Sequence, residues 1–392
     1  MAKNWKSRTL AVHGGTVRSQ FGETSEALFL NSGFTYESAE AAEERFAADD
    51  PGFVYSRFAN PTVRMFEERM IAIDGAGDAR ATATGMAAVA GALFAMLEAG
   101  DHMVAARALF GSSLYILNKL MPRFGIDVTL VDGVDTGQWQ AAMRPQTKVL
   151  FLETPTNPAM EVIDIAAMAR IAHENGARLV VDNVFATPLL QRPFELGADV
   201  VVYSATKHID GQGRCLGGII LGDKKFINES CHDYLKHTGP SLSPFNAWVM
   251  LKGLETLDIR VRQMQENAAA IAAALKGSSH VKRVIYPGDE DHPQARIIAR
   301  QMSGGGPMLA VEMAGGKRAA FAFCNALELV LISNNLGDSK SLITHPATTT
   351  HQSLSDEDKA RLGINGGLLR ISAGLEDPDD LANDVRQALA AL

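Results

Sequence analysis

Between residues 102 and 205 the chain alternates short runs with no polar face and stretches of helical period, and few folds accommodate that pattern. HMVAARAL (102–109), DVTLVDG (127–133), KVLFLETP (148–155), ARLVVDNVF (177–185) and ADVVVYSA (198–205) read as strands. A helix pattern runs near 112–124, and IDIAAMARIAHENG (163–176) is an amphipathic helix ended by Gly176. A strand that is apolar on both faces must be covered on both sides. Helices between the strands give that cover, and also the long crossover that parallel pairing needs. The fold class predicted is α/β, with a mostly parallel sheet wrapped by helices.

The flanks differ. In TVRMFEERMIAIDG (62–75), Val63, Phe66, Met70 and Ile73 fall at helical spacing before Gly75, and residues 85–98 read as a small-residue helix opened by Gly85. Residues 1–60 show little periodicity. After about residue 255 the character changes. VRQMQENAAAIAAALKG (261–277) is a helix with Val261, Met264, Ala268, Ile271 and Leu275 on one face. Strand-like pieces follow at 308–313, 327–333 and 368–373, then a helix with Asp377 as N-cap and Pro378 in its first turn. The organisation expected is an arm over 1–60, a large domain over 61–255 and a smaller α+β domain over 256–392.

A net charge of −8 argues against nucleic-acid and membrane-surface partners, which require concentrated positive charge. No run of about 18 apolar residues is present. The start, MAKNWKSRTLAVHGG, lacks the apolar core of a secretory signal, so a cytoplasmic location is expected. Cys215, Cys231 and Cys324 are too scattered for a disulfide framework or a zinc site, and no metal is expected.

Chemistry gathers where the strands end, the place where open α/β sheets bind ligands. Lys207 follows DVVVYSAT, with Ser204 and Thr206 beside it and glycines at 211, 213, 217 and 218 behind it. Asp182 ends LVVD, ETPTNP (153–158) ends LFLE, and ATGMAA (83–88) opens a helix. Each has a bland explanation: a solvated lysine, a turn-capping aspartate, a glycine that helps helix packing, hydroxyls that satisfy local backbone. Their joint occurrence at strand ends of one sheet asks for more. The set suits a ligand with an aldehyde for an amine, a protonated ring nitrogen for a carboxylate, and a phosphate for hydroxyls and helix N–H groups. Pyridoxal 5′-phosphate (PLP) is such a ligand. The run GQGRCLGG lacks a third glycine in dinucleotide-binding register and follows a lysine, which disfavours a nicotinamide enzyme. No separate DNA-binding module accompanies these features, as a PLP-binding regulator would require.

TLAVHGG, YSRFANPT, ATGMAA, ETPTNP, VVDNVFATP, SATKHIDGQG, SLITHPATTTHQ and LLRISAGLED together span nearly the whole chain. They resemble the Cys/Met-metabolism PLP enzymes of fold type I. The resemblance implies a seven-stranded, mostly parallel sheet and PLP as cofactor. It makes Lys207 the lysine that carries PLP and later moves protons, and Asp182 the partner of the ring nitrogen. The backbone N–H groups of Gly85 and Met86, with the Ser204 and Thr206 hydroxyls, would hold the phosphate. Tyr55 and Arg57 would reach the phosphate of a neighbouring subunit, in a homotetramer built from dimers that share active sites. Asn157 would contact cofactor and substrate, Arg370 would clamp the substrate α-carboxylate, and Ser341 would line the pocket. Within the family, SATKHIDGQGRCLGG is most similar to sulfhydrylases, so acylated homoserine and sulfide are the small-molecule partners expected. A synthase that uses cysteine, and an acetyl in place of a succinyl donor, stay open.

Three departures from common family patterns matter. Phe110, in LFGSS, would stack on the ring where many relatives have a tyrosine, so no hydroxyl acts there. Ser112 stands where methionine γ-lyases have a cysteine. Lys340, in SKSL, replaces the glutamate of lyases and cystathionine synthases, which suits sulfide or a dicarboxylate-derived leaving group better than a cysteine ammonium.

Overall fold

The apolar runs pair with one another at the centre of the molecule. In the computed structural model, which describes residues 5–47 and 52–392, seven strands form one sheet. They are β1 (Asp78–Thr82), β2 (His102–Ala106), β3 (Asp127–Val131), β4 (Thr147–Glu153), β5 (Arg178–Asp182), β6 (Val200–Ser204) and β7 (Gly218–Gly222), in the order β1-β7-β6-β5-β4-β2-β3. Only β7 runs against its neighbours, β1 and β6. In the central strands Val149–Leu152, Leu179–Val181 and Val200–Tyr203 are all buried, so apolar packing lies on both faces. Such strands leave no polar face, and functional groups can stand only at their ends. The order sets the ends of β6, β5 and β4 side by side. Asp182 and Glu153 are register partners there, and Ser204 closes β6.

A second sheet, in the order β10-β11-β12-β9-β8, is built from β8 (Val281–Ile285), β9 (Met308–Met313), β10 (Leu331–Ile332), β11 (Leu342–Thr344) and β12 (Leu368–Ser372). The helices Leu257–Leu275 and Pro378–Ala390 pack together beside it around a core that includes Ile271, Leu309, Phe323 and Leu381. Asp377 caps the latter helix as expected, accepting the Asp379 N–H.

Some expectations are corrected. The strand expected over 327–333 shrinks to Leu331–Ile332, because the N–H groups of Glu328, Leu329 and Val330 all donate to the Asp384 carboxylate instead of to a strand. The small-residue helix ends at Phe94, not 98. The pattern near 112–124 is a short α-helix, Gly111–Tyr115, continued by a π turn and a 3₁₀ turn over Met121–Phe124, in which Pro122 has no N–H to give. The aperiodic N-terminal region holds two helices, Ser7–His13 and Ala39–Ala47. Strands β1 and β8 were not legible because DARAT and VKRVI carry charges within them. On β8, Lys282 and Arg283 both pair with Glu312 of β9.

Polar contacts tie the N-terminal segment to the large sheet's layer. The helix Pro61–Asp74 begins at Asn60, whose side chain accepts the Thr62 and Val63 N–H groups, and stops at Gly75 in the left-handed conformation (φ 83°). From this helix the fully buried Arg69 donates to the Gly14 and Leu251 carbonyls, to Thr16 and to Glu26. Lys252 adds a bond to Glu26 at 2.7 Å. Burial would raise the Glu26 carboxyl, but the bonds from Lys252 and Arg69 outweigh it and hold the group at about 2.

The folded pKa of Glu26 lies below its unfolded value, so the stabilisation is complete above about pH 4.5 and fades as pH falls towards 2. Glu26→Gln is expected to lower Tm at pH 6.5 and to lower it less at pH 3, measured by calorimetry on both proteins. Arg69→Met leaves Glu26 with Lys252 as its cationic partner but strips the Gly14 and Leu251 carbonyls of their buried donor, which costs about 1–3 kcal/mol. It is expected to expose residues 14–29 to limited proteolysis. An unchanged cleavage pattern would show that Arg69 does not anchor the segment.

Candidate active site

Helix Gly85–Phe94 points its first turn at the end of β6. Thr84 caps it, its hydroxyl accepting the Ala87 N–H at 3.0 Å and its carbonyl the Ala88 N–H at 3.1 Å. Among the described residues the N–H groups of Gly85 and Met86 have no acceptor, the usual condition at a helix start and a ready anion site. A Cβ at Gly85 would lie 2.5 Å from Ser204 Cβ and 2.7 Å from Ser204 Oγ, so glycine is what allows this approach. The Thr206 hydroxyl accepts the Gly217 N–H at 3.0 Å and lies 3.2 Å from the Gly217 carbonyl. It braces the base of the connection from β6 to β7, the segment that carries Lys207.

Lys207 is largely buried. Its Nζ donates to Asn335 Oδ1 at 2.6 Å. Burial, and then the charge of Arg370, bring its ammonium down to about 8, which makes a neutral amine accessible near physiological pH. At the end of β5, Asp182 accepts the Val184 N–H at 3.1 Å and has no cationic partner, and burial raises it to about 7. Glu153 accepts the N–H groups of Phe110 and Asn157, each at 3.0 Å. Burial and the nearby Asp182 push Glu153 well above the ordinary carboxylate range, against those two bonds and Arg370.

Arg370, on β12, reaches across from the second sheet. It is 2% exposed. Its Nη1 donates to Asn157 Oδ1 at 3.0 Å, and its Nη2 to the carbonyls of Asn334 and Asn335. Its Nε is buried with no partner, and none of its bonds goes to a carboxylate. Burial lowers the guanidinium to about 10. A buried cation without a counter-anion is costly unless an anion arrives to complete it. Two buried histidines border this region. His208 lies with Nδ1 3.2 Å from the Val184 carbonyl, and His351 with Nδ1 2.8 Å from Thr350 Oγ1. Burial lowers both to about 4, so both are neutral.

The structure thus brings together Lys207, Asp182, Asn157, Phe110 and Arg370, with Gly85, Met86, Ser204 and Thr206 at the neighbouring strand and helix ends. Others stand apart. The Lys340 ammonium is exposed and pairs with Asp338 at 3.0 Å. The Ser341 hydroxyl is occupied by Glu376 and by the Gly374 N–H. Arg57 donates to the Lys236 carbonyl and lies 4.8 Å over the Phe58 ring, while Tyr55 is 42% exposed. Neither bonds to Lys207, Asp182 or Arg370. Glu153 and Asn335 were missed as site residues. Glu153 opens the ETPTNP motif and could have been found by asking what a buried acid does there. Asn335 reaches Lys207 only through tertiary packing.

The site can take PLP on its own chemistry: two unbound N–H groups and a free hydroxyl at one end, an unpaired carboxylate at the other, and a lysine of lowered pKa between. The family model for the Cys/Met metabolism PLP-dependent enzymes matches residues 8–390. The chain belongs to this family. PLP is accordingly its cofactor, and the members compared align with it from end to end. An O-succinylhomoserine sulfhydrylase of Mycobacterium tuberculosis (strain ATCC 25618 / H37Rv) is 52% identical over 386 residues, covering 97% of this chain and 95% of its own. One from Pseudomonas aeruginosa is 48% identical, covering 98% and 95%. Among solved structures, metY from Campylobacter jejuni has a TM-score of 0.94 at 30% identity and covers 98% of this chain and 100% of its own. That structure contains N′-pyridoxyl-lysine-5′-monophosphate.

Gly85→Ala is expected to drive the helix start away from Ser204 and to weaken PLP binding by about tenfold or more, the scale of overpacking a tight contact. Reconstitution of apoprotein followed by absorbance measures this. Wild-type affinity would show that the close approach is not used by the cofactor.

Proposed function

We propose that the chain performs PLP-dependent γ-replacement, converting O-succinyl-L-homoserine and hydrogen sulfide to L-homocysteine and succinate. The observation that carries this is end-to-end identity of about half with O-succinylhomoserine sulfhydrylases, in a chain whose strand ends gather Lys207, Asp182 and Arg370. The same reading places the protein in methionine biosynthesis and in the cytoplasm. Among the described residues no helix is long and apolar enough to cross a membrane.

The geometry supports the following roles. Lys207 would hold PLP covalently, Asp182 would face the ring nitrogen, and Gly85, Met86, Ser204 and Thr206 would surround the phosphate. Thr206 must turn its hydroxyl from the Gly217 carbonyl to donate. Phe110 would stack on the ring. When bound, PLP supplies an electron sink for the carbanion at substrate Cα. Arg370 would receive the α-carboxylate at its free Nε, with Nη2 releasing one of its two carbonyl partners to complete the pair, and Asn157 fixes the guanidinium plane. Freed when the substrate amine takes its place on the cofactor, the neutral Lys207 amine would take the proton from Cα, give it up at C4′ of the cofactor, and only then take one from Cβ. The Cγ–O bond breaks with its electron pair going to succinate. Hydrosulfide forms the new Cγ–S bond, and Lys207 returns protons to Cβ and Cα. Lys340 and Ser341 belong to the edge of this site: Ser341 would act through Glu376 and the backbone, and Lys340 would have to leave Asp338 to meet an anion.

Purified holoprotein offered succinyl and acetyl esters of homoserine, each with sulfide or cysteine, is expected to favour succinyl ester and sulfide. Lys207→Ala should lose nearly all turnover. Cystathionine formed faster than homocysteine would overturn the sulfhydrylase assignment.

The placement of Arg57 and Tyr55 supports an arm over residues 1–60 that serves a neighbouring subunit, within active-site-sharing dimers and a homotetramer. The large domain would span 61–255 and the smaller one 256–392. Arg57→Ala and Lys207→Ala are then each inactive, yet co-expressed together they should recover about a quarter of wild-type activity, because half of the dimers carry one intact site of two. Mixed oligomers that form and stay inactive would show that Arg57 does not act across the interface.

A further inference from the structure

Two loops that approach the site from different strands converge on one buried carboxylate. Phe110 follows β2 and leads into the helix Gly111–Tyr115, whereas Asn157 lies in the turn after β4. Glu153, at the end of β4 and 4% exposed, accepts the Phe110 N–H on Oε2 and the Asn157 N–H on Oε1. Beyond Asn157 the chain of bonds continues, since Asn157 Oδ1 accepts from Arg370 Nη1. Strand β4 lies between β2 and β5, so Glu153 stands next to Asp182 with a loop on either hand. A carboxyl group can accept on both oxygens at once, and each of the two main-chain N–H groups holds one of them.

We propose that Glu153 is a positioning residue that sets the Phe110 ring and the Asn157–Arg370 pair together, so that cofactor stacking and substrate-carboxylate binding are adjusted by one side chain. The inference rests on the roles of Phe110 and Arg370 given above. Glu153 touches neither cofactor nor substrate, and it acts through two main-chain N–H groups. This role also gives the acid beside Asp182 a use despite the repulsion: each of its two oxygens is engaged by a main-chain N–H.

The test uses the holoenzyme of Glu153→Gln. The amide is isosteric, but its NH₂ must face one of the two N–H donors, so one loop is released. Two changes are expected together. The visible circular dichroism of bound PLP should alter, and KM for the acylated homoserine should rise roughly tenfold. A Glu153→Asp variant, one methylene short, should reach only one N–H and show the same pair of changes in weaker form. A variant with lowered Tm but wild-type dichroism and KM would overturn the proposal, as would a change in only one of the two. Should the variants not fold, hydrogen exchange of the wild-type holoenzyme decides. The Phe110 and Asn157 amides are expected to be protected, and exchange at exposed-loop rates would overturn the proposal. The dichroism involves no substrate, so failure of the succinyl-donor assignment leaves this arm of the test intact.

Discussion

The burial of β4, β5 and β6 on both faces governs the rest of this molecule. Strands of that kind admit a polar group along their length only where it finds a buried partner, as the Tyr203 hydroxyl does in Asp74 and Asn183. Polar chemistry is displaced to the ends. Parallel pairing then gathers the ends on one rim, where Glu153, Asp182 and Ser204 stand side by side. The rim is still partly shielded, and ionisable groups there depart from their ordinary values. Burial brings Lys207 down towards the neutral amine that the proposed link to PLP requires, and it raises Asp182, which has yet to meet the positive partner proposed for it.

The second sheet contributes a single reaching cation. Arg370 crosses to Asn157 and is steadied by carbonyls, not carboxylates. Carbonyl partners fix its plane without cancelling its charge, so it remains able to attract an anion. This is a different solution from that of Arg69, which is neutralised by Glu26 and serves to fasten one segment to another. The two buried arginines differ in partner chemistry, and the difference fits the binding role proposed for Arg370 and a structural one for Arg69.

Much of this was legible in the sequence, and for identifiable reasons. VVVYSATK, LVVD and LFLE announce strands by unbroken apolar runs and mark the site by the first polar residue after each. Asp377 and Pro378 announce a helix start through local chemistry that needs no partner. What escaped depended on distant parts of the chain. Strand β10 is cut short by Asp384, which lies far along in the sequence. Lys207 meets Asn335 across 128 positions. Ser341 and Lys340 were placed in the pocket by motif, while the Lys340 bond to Asp338 comes from the folding of its own loop and the Ser341 bond to Glu376 spans 35 positions. Arg57, exposed in a single chain, is a residue whose use depends on something outside that chain.

The brace between Thr206 and Gly217 bears on how the lysine travels. With the base of its connection pinned, the backbone at residue 207 need not shift when Nζ leaves one attachment for another. Motion is confined to the four methylenes of the side chain, which rotate on far shorter timescales than a loop rearranges. The enzyme thereby separates two demands that usually conflict. In the proposed reaction the amine would move among successive atoms of the substrate while the wall from which it hangs stays still.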